Sequence, residues 1–275
     1  MARIESLSIL TETGDGKAYL AEEYGKVVQN VQNGTIASLF KNMDLSGDPT
    51  AGSIEAKRFA NAVLNDVGTA RTNGAGQKIK AGTVTVPINI SKELIEEVAD
   101  KDVRLFGVQG LVERRLANHQ MRIIKFLEKT FWAEAVTGGT KLVSSAEEIS
   151  DKCDELIIAL ETTKTNYVDG VPRELMGLIL SPTYYTALQN KIDTLPGIGG
   201  GTYNVFHNVR VFSSTDLPSG TDAIAICEGA IAEPVHYTPD QAGKIPLSNS
   251  YHFGIFIDAG CKTVSPELVR YLAAS

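Results

Sequence analysis

The chain has 275 residues, 43% of them hydrophobic, and a formal net charge of −7, enough to bury a sizeable core as one elaborate domain or two small ones. The acidic balance argues against a dedicated nucleic-acid binder, which carries a strongly basic domain, but not against a protein that encloses nucleic acid without gripping it. No apolar run approaches the roughly 20 residues of a membrane span, MARIESLSIL lacks a signal-peptide pattern, and the odd, widely spaced trio Cys153, Cys227 and Cys261 points to a reducing cytosol rather than a disulfide framework.

Residues 1–45 read as an arm. A helix is expected over Lys17–Gln32, with Leu20, Tyr24, Val27, Val28 and Val31 on one side and Gly34 as its stop. The arm has too few apolar residues for a core of its own, so it lies either on its own body or on a neighbour. Residues 47–90 read as one long hairpin. Ser53–Leu64 is the outgoing strand, and Thr83–Ile90 returns with alternating polar and apolar residues. Pro87 cannot donate to a ladder, which makes the return strand an edge. The Gly- and Lys-rich tip between them has little to bury, and a hairpin of this length is marginal alone in water. It needs a second surface.

Charge divides sharply here. Residues 51–82 carry Lys57, Arg58, Arg71, Lys78 and Lys80 against Glu55 and Asp66. Residues 91–102, read as a short helix, carry Glu93, Glu96, Glu97, Asp100 and Asp102 against Lys92 and Lys101. A basic projection beside an acidic segment steers subunits into register. The alternative is a solvated charged surface, since exposed ion pairs contribute little.

Val108–Val136 is the dominant element. Leu111/Val112, Leu116, Ile123/Ile124, Leu127 and Phe131 recur near the helical period, with Gly138-Gly139 as the stop. At 1.5 Å per residue this beam is about 40 Å long. Compact α/β texture follows. Ser145–Glu148 is a capping-box pattern opening a helix to about Thr162. Leu175–Leu180 is a short strand, and Ser181-Pro182 starts a helix running to about Lys191. Pro196–Gly201 is a loop, and His207-Asn208 is a tight turn between Val205–Phe206 and Val209–Ser213. Ala223–Cys227, Ile231–Tyr237, Tyr251–Asp258 and Lys262–Leu272 are further strands.

Chemistry-bearing motifs are few. The Gly197–Gly201 loop lacks the Lys-Ser/Thr of a P-loop and precedes a strand rather than a helix. His119, His207, His236 and His252 share no ligand spacing with one another or with the cysteines, and His119 is placed on a polar helix face. The cysteines read as small buried hydrophobes. Neither a G-x-S-x-G elbow nor H-E-x-x-H occurs. The residues therefore predict no catalytic, cofactor or metal site. They predict a non-enzymatic protein whose arm and projection need partners, the anatomy of a self-assembling shell subunit.

The order of these parts resembles the major capsid proteins of tailed bacteriophages, which have the Hong Kong 97-like capsid fold. The stretches that carry the likeness are GDPTAGSIEAKRFANA (47–62), GTARTNGAGQKIKAGTVTVPI (68–88), KELIEEVADKDVRLFGVQGLVERR (92–115), LILSPTYYTAL (178–188), VRVFSSTDLPSG (209–220) and AIAICEGAIAEPV (223–235). They are similar to capsid proteins of phages and prophages of Gram-positive bacteria. The resemblance implies an α+β chain with residues 1–45 as the N-terminal arm and 48–90 as an extended loop reaching over an adjacent subunit. It implies a peripheral domain at 91–144, with the spine helix and the C-terminal strands 256–275, and an axial domain at 145–255. Arg58, Arg71, Lys78, Lys80, Glu93, Glu96 and Glu97 are then the expected inter-subunit contacts, and Gly197, Gly199, Gly200 and Gly201 the tip at the five-fold and six-fold axes. The implied partners are copies of the chain itself in hexamers and pentamers, a separate scaffolding protein, a portal, and enclosed double-stranded DNA. The implied location is the virion capsid, assembled in the host cytoplasm. No cofactor, no membrane contact and no loop cross-link is expected. An encapsulin-type nanocompartment shares the fold and is the alternative; a small α/β enzyme or ligand-binding protein with an oligomerisation arm is a third reading.

Overall fold

The structure is a computed structural model that describes residues 6–64, 66, 81–196 and 202–274; it describes the backbone but not the side chains of 104–106, 195–196 and 202–203. In chain order the helices are α1 (Leu7–Glu12), α2 (Gly14–Gly34), α3 (Asp100–Gly138), α4 (Ile149–Glu161) and α5 (Pro182–Leu188). The strands are β1 (Leu45–Ser46), β2 (Ser53–Phe59), β3 (Ala81–Pro87), β4 (Ile90–Ala99), β5 (Thr140–Lys141), β6 (Met176–Leu180), β7 (Asp193–Pro196) and β8 (Thr202–Phe206). They continue with β9 (Val209–Ser213), β10 (Thr221–Cys227), β11 (Ile231–Ala232), β12 (Val235–Pro239), β13 (Gly243–Lys244), β14 (Ser250–Ala259), β15 (Lys262–Thr263) and β16 (Val269–Ala273). The chain divides into two compact units. One comprises Met1–Ser38, Ile88–Glu128 and Pro234–Gly260; the other comprises Leu39–Pro87, Lys129–Glu233 and Cys261–Ser275.

The first unit is built on β14, which pairs antiparallel with β4 along its whole length while β12 and β13 share its other edge. Tyr251, Phe253, Ile255 and Ile257 alternate onto the buried face of β14. There they meet Val108, Val112, Leu116, Ile123 and Leu127 of α3, the apolar stripe read from the sequence. Gly107, at φ 69, interrupts α3, so the regular helix starts at Val108. A side chain is strained at that backbone angle. The arm lies on its own body: Leu7 and Leu10 of α1 and Leu20, Tyr24, Val27 and Val31 of α2 join the same core. Burying each such side chain stabilises by about 1.5–3 kcal/mol, which offsets the ordering of an arm that cannot fold alone. Thr13 caps α2 by accepting from the Gly16 amide at 3.2 Å.

Two expectations fail in this unit. The short helix expected over 91–102 does not form: although Glu, Lys and Leu are good helix formers, β4 is a strand through Ala99 and only 100–102 are helical. The ten-residue register with β14, from Ile90–Ala259 to Ala99–Ser250, overrides local propensity. His119, expected on a polar face, is 0% exposed. It follows Leu116 by three residues and precedes Ile123 by four, inside the apolar stripe.

The second unit holds a seven-stranded sheet of order β5-β16-β10-β6-β9-β8-β7. Its pairs are antiparallel except β6–β9 and β16–β5. β6 is buried at all five positions, as a strand covered on both faces must be. Cys153, Leu156, Ile157 and Leu160 of α4 pack with Met176, Leu178 and Leu180. Phe40 covers Gly177, where a Cβ would overlap the ring. His207 and Asn208 sit at φ 48 and 69, the two left-handed positions of a type I′ turn between β8 and β9. Ser181 caps α5 by accepting from Tyr184 N. The capping box read at Ser145 is not formed: α4 starts at Ile149 behind Glu148, which makes no side-chain cap. The C-terminal strands expected together beside the spine are divided, β14 standing in the first unit and β16 in this sheet. The strand read at Ile231–Tyr237 is also broken, into β11 and β12, at Glu233-Pro234.

Candidate inter-subunit contact surface

The root of the long hairpin belongs to the second unit. β2 and β3 pair antiparallel from Ser53–Pro87 to Phe59–Ala81, with β1 on the other side of β2. β3 is therefore an edge strand, as Pro87 requires. Ala56 and Val86 form a buried cluster with Ala232 and Val264. Arg58 pairs with Glu267 and lies over the Tyr167 ring at 4.1 Å. The Asn61 amide donates to the Asn166 carbonyl at 3.0 Å. The root is thus anchored to its own lobe, and Arg58 is committed there. At its end and beyond it, apolar side chains stand open to solvent, Phe59 57% and Leu64 100% exposed. Arg71, Lys78 and Lys80 lie outside the described residues, as do Gly197, Gly199, Gly200 and Gly201.

The acidic segment is sorted by strand parity. On β4, Ser91, Glu93, Ile95 and Glu97 are exposed, whereas Leu94 and Val98 join the core. The outward residues stand opposite Asp258, Phe256, Gly254 and His252 of β14. Ser91 Oγ donates to Asp258 Oδ1 at 2.6 Å, and His252 Nδ1 meets Asp240 Oδ2 at 2.7 Å. An open groove crosses this face, lined by Ser91, Lys92, Glu93, Thr238, Phe256 and Asp258. Phe256 is its exposed apolar centre, and Lys92, Glu93 and Asp258 give it a charged rim. An apolar centre inside a charged rim has the anatomy of a protein contact.

Glu96 points the other way. It pairs bidentately with Arg115, with Nε at 2.5 Å, and approaches His119 Nε2 at 3.2 Å. The Tyr24 hydroxyl lies 3.1 Å from His119 Nδ1. Burial alone raises the Glu96 carboxyl, but Arg115 and His119 outweigh it and hold the group below its ordinary value. Burial depresses His119, against the pull of Glu96, and raises Tyr24. The sequence could have flagged this cluster, because Arg115 and His119 are spaced i, i+4 on α3. The partner Glu96 could not be assigned while 91–102 was read as a helix.

The remaining chemistry is quiet. Burial pushes the Cys153 thiol up to about 12 and Cys227 up to about 11, leaving both as protonated apolar groups. Lys41 Nζ lies 2.6 Å from Glu233 Oε2, whose side chain is enclosed. Among the described residues no cluster of His, Cys, Asp and Glu is arranged to hold a metal ion, and no helix is long and apolar enough to cross a membrane.

No protein-family model and no curated protein matches the sequence. Solved structures do. A chain of Mycobacterium phage Che8 superposes with a TM-score of 0.60 at 19% identity, covering 86% of this chain and 89% of that one. The capsid of cyanophage P-SCSP1u gives 0.58 at 14% identity, with 86% of each chain covered. A holo-encapsulin complex from Synechococcus elongatus gives 0.50 at 10% identity, covering 71% of this chain and 77% of that one. The chain thus has the mixed helix and sheet of these structures, the Hong Kong 97-like fold of phage major capsid proteins.

Proposed function

We propose that this chain is the major capsid protein of a tailed bacteriophage. Copies assemble as hexamers and pentamers into an icosahedral shell, built in the bacterial cytoplasm with a scaffolding protein and a portal, that encloses double-stranded DNA. The chain does no catalysis; its work is mechanical. The observation that supports this reading is the likeness in fold to phage capsid structures, which covers 86% of the chain. The acidic balance suits a wall that does not bind the genome tightly.

The subunit contact follows from the sorted charges. Arg58 and Glu96 are committed within their own subunit, so the tip cations Arg71, Lys78 and Lys80 of one copy meet the outward Glu93 and Glu97 of another, and residues 197–201 form the tip at the symmetry axes. Reversing charge at Arg71, Lys78 and Lys80 together abolishes sedimentable shells while the chain keeps its native circular dichroism. Shells that form normally in that variant refute the contact.

The second reading, an encapsulin-type compartment, is favoured by the Synechococcus likeness, although that likeness covers less of the chain than the phage capsids do. Particles purified from the native host separate the two: the phage reading predicts packaged double-stranded DNA, the encapsulin reading a cargo protein and little nucleic acid.

A further inference from the structure

His119 has more built around it than a structural core residue needs. Three separate elements of the first unit meet at its ring: α2 through Tyr24, β4 through Glu96, and β14 through Phe253, whose ring is 6.3 Å away. Arg115 stands one helical turn back on the same helix. The other titratable groups nearby are Asp240, which acts on Tyr24, and His252, which faces Asp240 rather than His119.

The chemistry fixes the docked protonation state. Ionised Glu96 only accepts, so the His119 Nε2 beside it carries the hydrogen; the 3.2 Å approach supplies charge attraction without hydrogen-bond alignment. Nδ1 is then an acceptor, and the Tyr24 hydroxyl is its donor. A second proton on Nδ1 turns the Tyr24 hydroxyl from donor to acceptor and places a charge in a ring that is 0% exposed. Glu96 pulls toward an imidazolium, but Arg115 shares that carboxylate and the burial of the ring outweighs the pull.

We propose that His119 is an acid-operated latch for the N-terminal arm: its ring is fully enclosed while Tyr24 of α2 is docked on it, so protonation favours release of α2 from the spine helix and β4. The sign is fixed by linkage. The docked ring holds its proton less firmly than the ordinary imidazole at 6.5. The undocked state therefore binds more protons, and opening is favoured as the pH falls below that value. If the docked ring stays neutral, one proton raises the α2 opening constant about tenfold between about pH 7.5 and about pH 5.5.

Hydrogen exchange of the 275-residue chain tests this, with protection factors corrected for intrinsic rates at each pH. The latch predicts that protection over Leu20–Val31 falls about tenfold across that interval while α4, in the other unit, is unchanged, and that His119→Gln removes the dependence. Protection in α2 that is flat with pH, or that falls equally in His119→Gln, overturns it. Should that variant not fold, ring titration of His119 by NMR in the native chain decides: a midpoint below the ordinary value that coincides with α2 opening supports the latch, and titration at or above the ordinary value with α2 still docked overturns it. The result is independent of whether the shell encloses DNA or cargo.

Discussion

Three glutamates within five residues, Glu93, Glu96 and Glu97, give the fold a demanding test. In a helix they share one face, because i, i+3 and i+4 are neighbours; in a strand the middle one points opposite to the outer two. The structure puts Glu93 and Glu97 outside, facing Phe256 and His252, and turns Glu96 inward onto Arg115 and His119. Alanine at Glu93 or Glu97 removes only an exposed charge, so each costs no more than about 0.5 kcal/mol. Alanine at Glu96 removes a bidentate charge-assisted pair and leaves Arg115, with 39% of its side chain exposed, partly unmatched. Solvent reaching Arg115 keeps the cost at the level of a lost charged hydrogen bond, about 1.5–3 kcal/mol. Urea unfolding followed by far-UV circular dichroism measures all three. Trp132 fluorescence reports the second unit, where that residue is buried, and serves as an internal control. Equal losses at the three positions would refute the strand parity, and with it the separation of contact face from latch.

Other perturbations read other parts of the account. Proline at Ile123, a buried stripe residue of α3, removes a helical hydrogen bond and costs roughly 3 kcal/mol or more; loss of soluble, helical protein is the expected result, and native circular dichroism would contradict it. Lys41→Met deprives the enclosed Glu233 carboxylate of its 2.6 Å cation and costs about 3–5 kcal/mol, whereas changing Glu233 to Leu as well recovers most of that loss. Denaturation midpoints of the single and double variants distinguish a buried ion pair from an incidental contact. Glu93→Lys with Glu97→Lys raises the formal net charge from −7 by four, to −3, leaves stability within about 0.5 kcal/mol of native, and blocks shell assembly by light scattering. Unimpaired assembly in that variant would remove the acidic face from the subunit contact.

Much of this architecture is legible in residue order. The spine stripe from Val112 to Phe131, the Ser181-Pro182 helix start and the His207-Asn208 turn each rest on local stereochemistry, which the sequence states directly. What was hidden depends on distant partners. KELIEEVA carries helix-forming residues, and only the long apolar strand Tyr251–Asp258 converts it into a strand. His119 looked polar in isolation, yet its burial follows from its phase in the stripe and from Tyr24, ninety-five residues earlier. Arg58 looked like a free loop cation until Glu267 and Tyr167 closed around it. Charge counts along a chain show that complementarity exists without showing which charges are already matched inside the subunit.

The central claim is that parts of this chain complete themselves on identical copies. Electron microscopy of the expressed protein, alone and with a scaffolding partner, tests it most directly. The account predicts closed, hollow icosahedral particles of uniform size; a strictly monomeric species at high concentration under both conditions would contradict it.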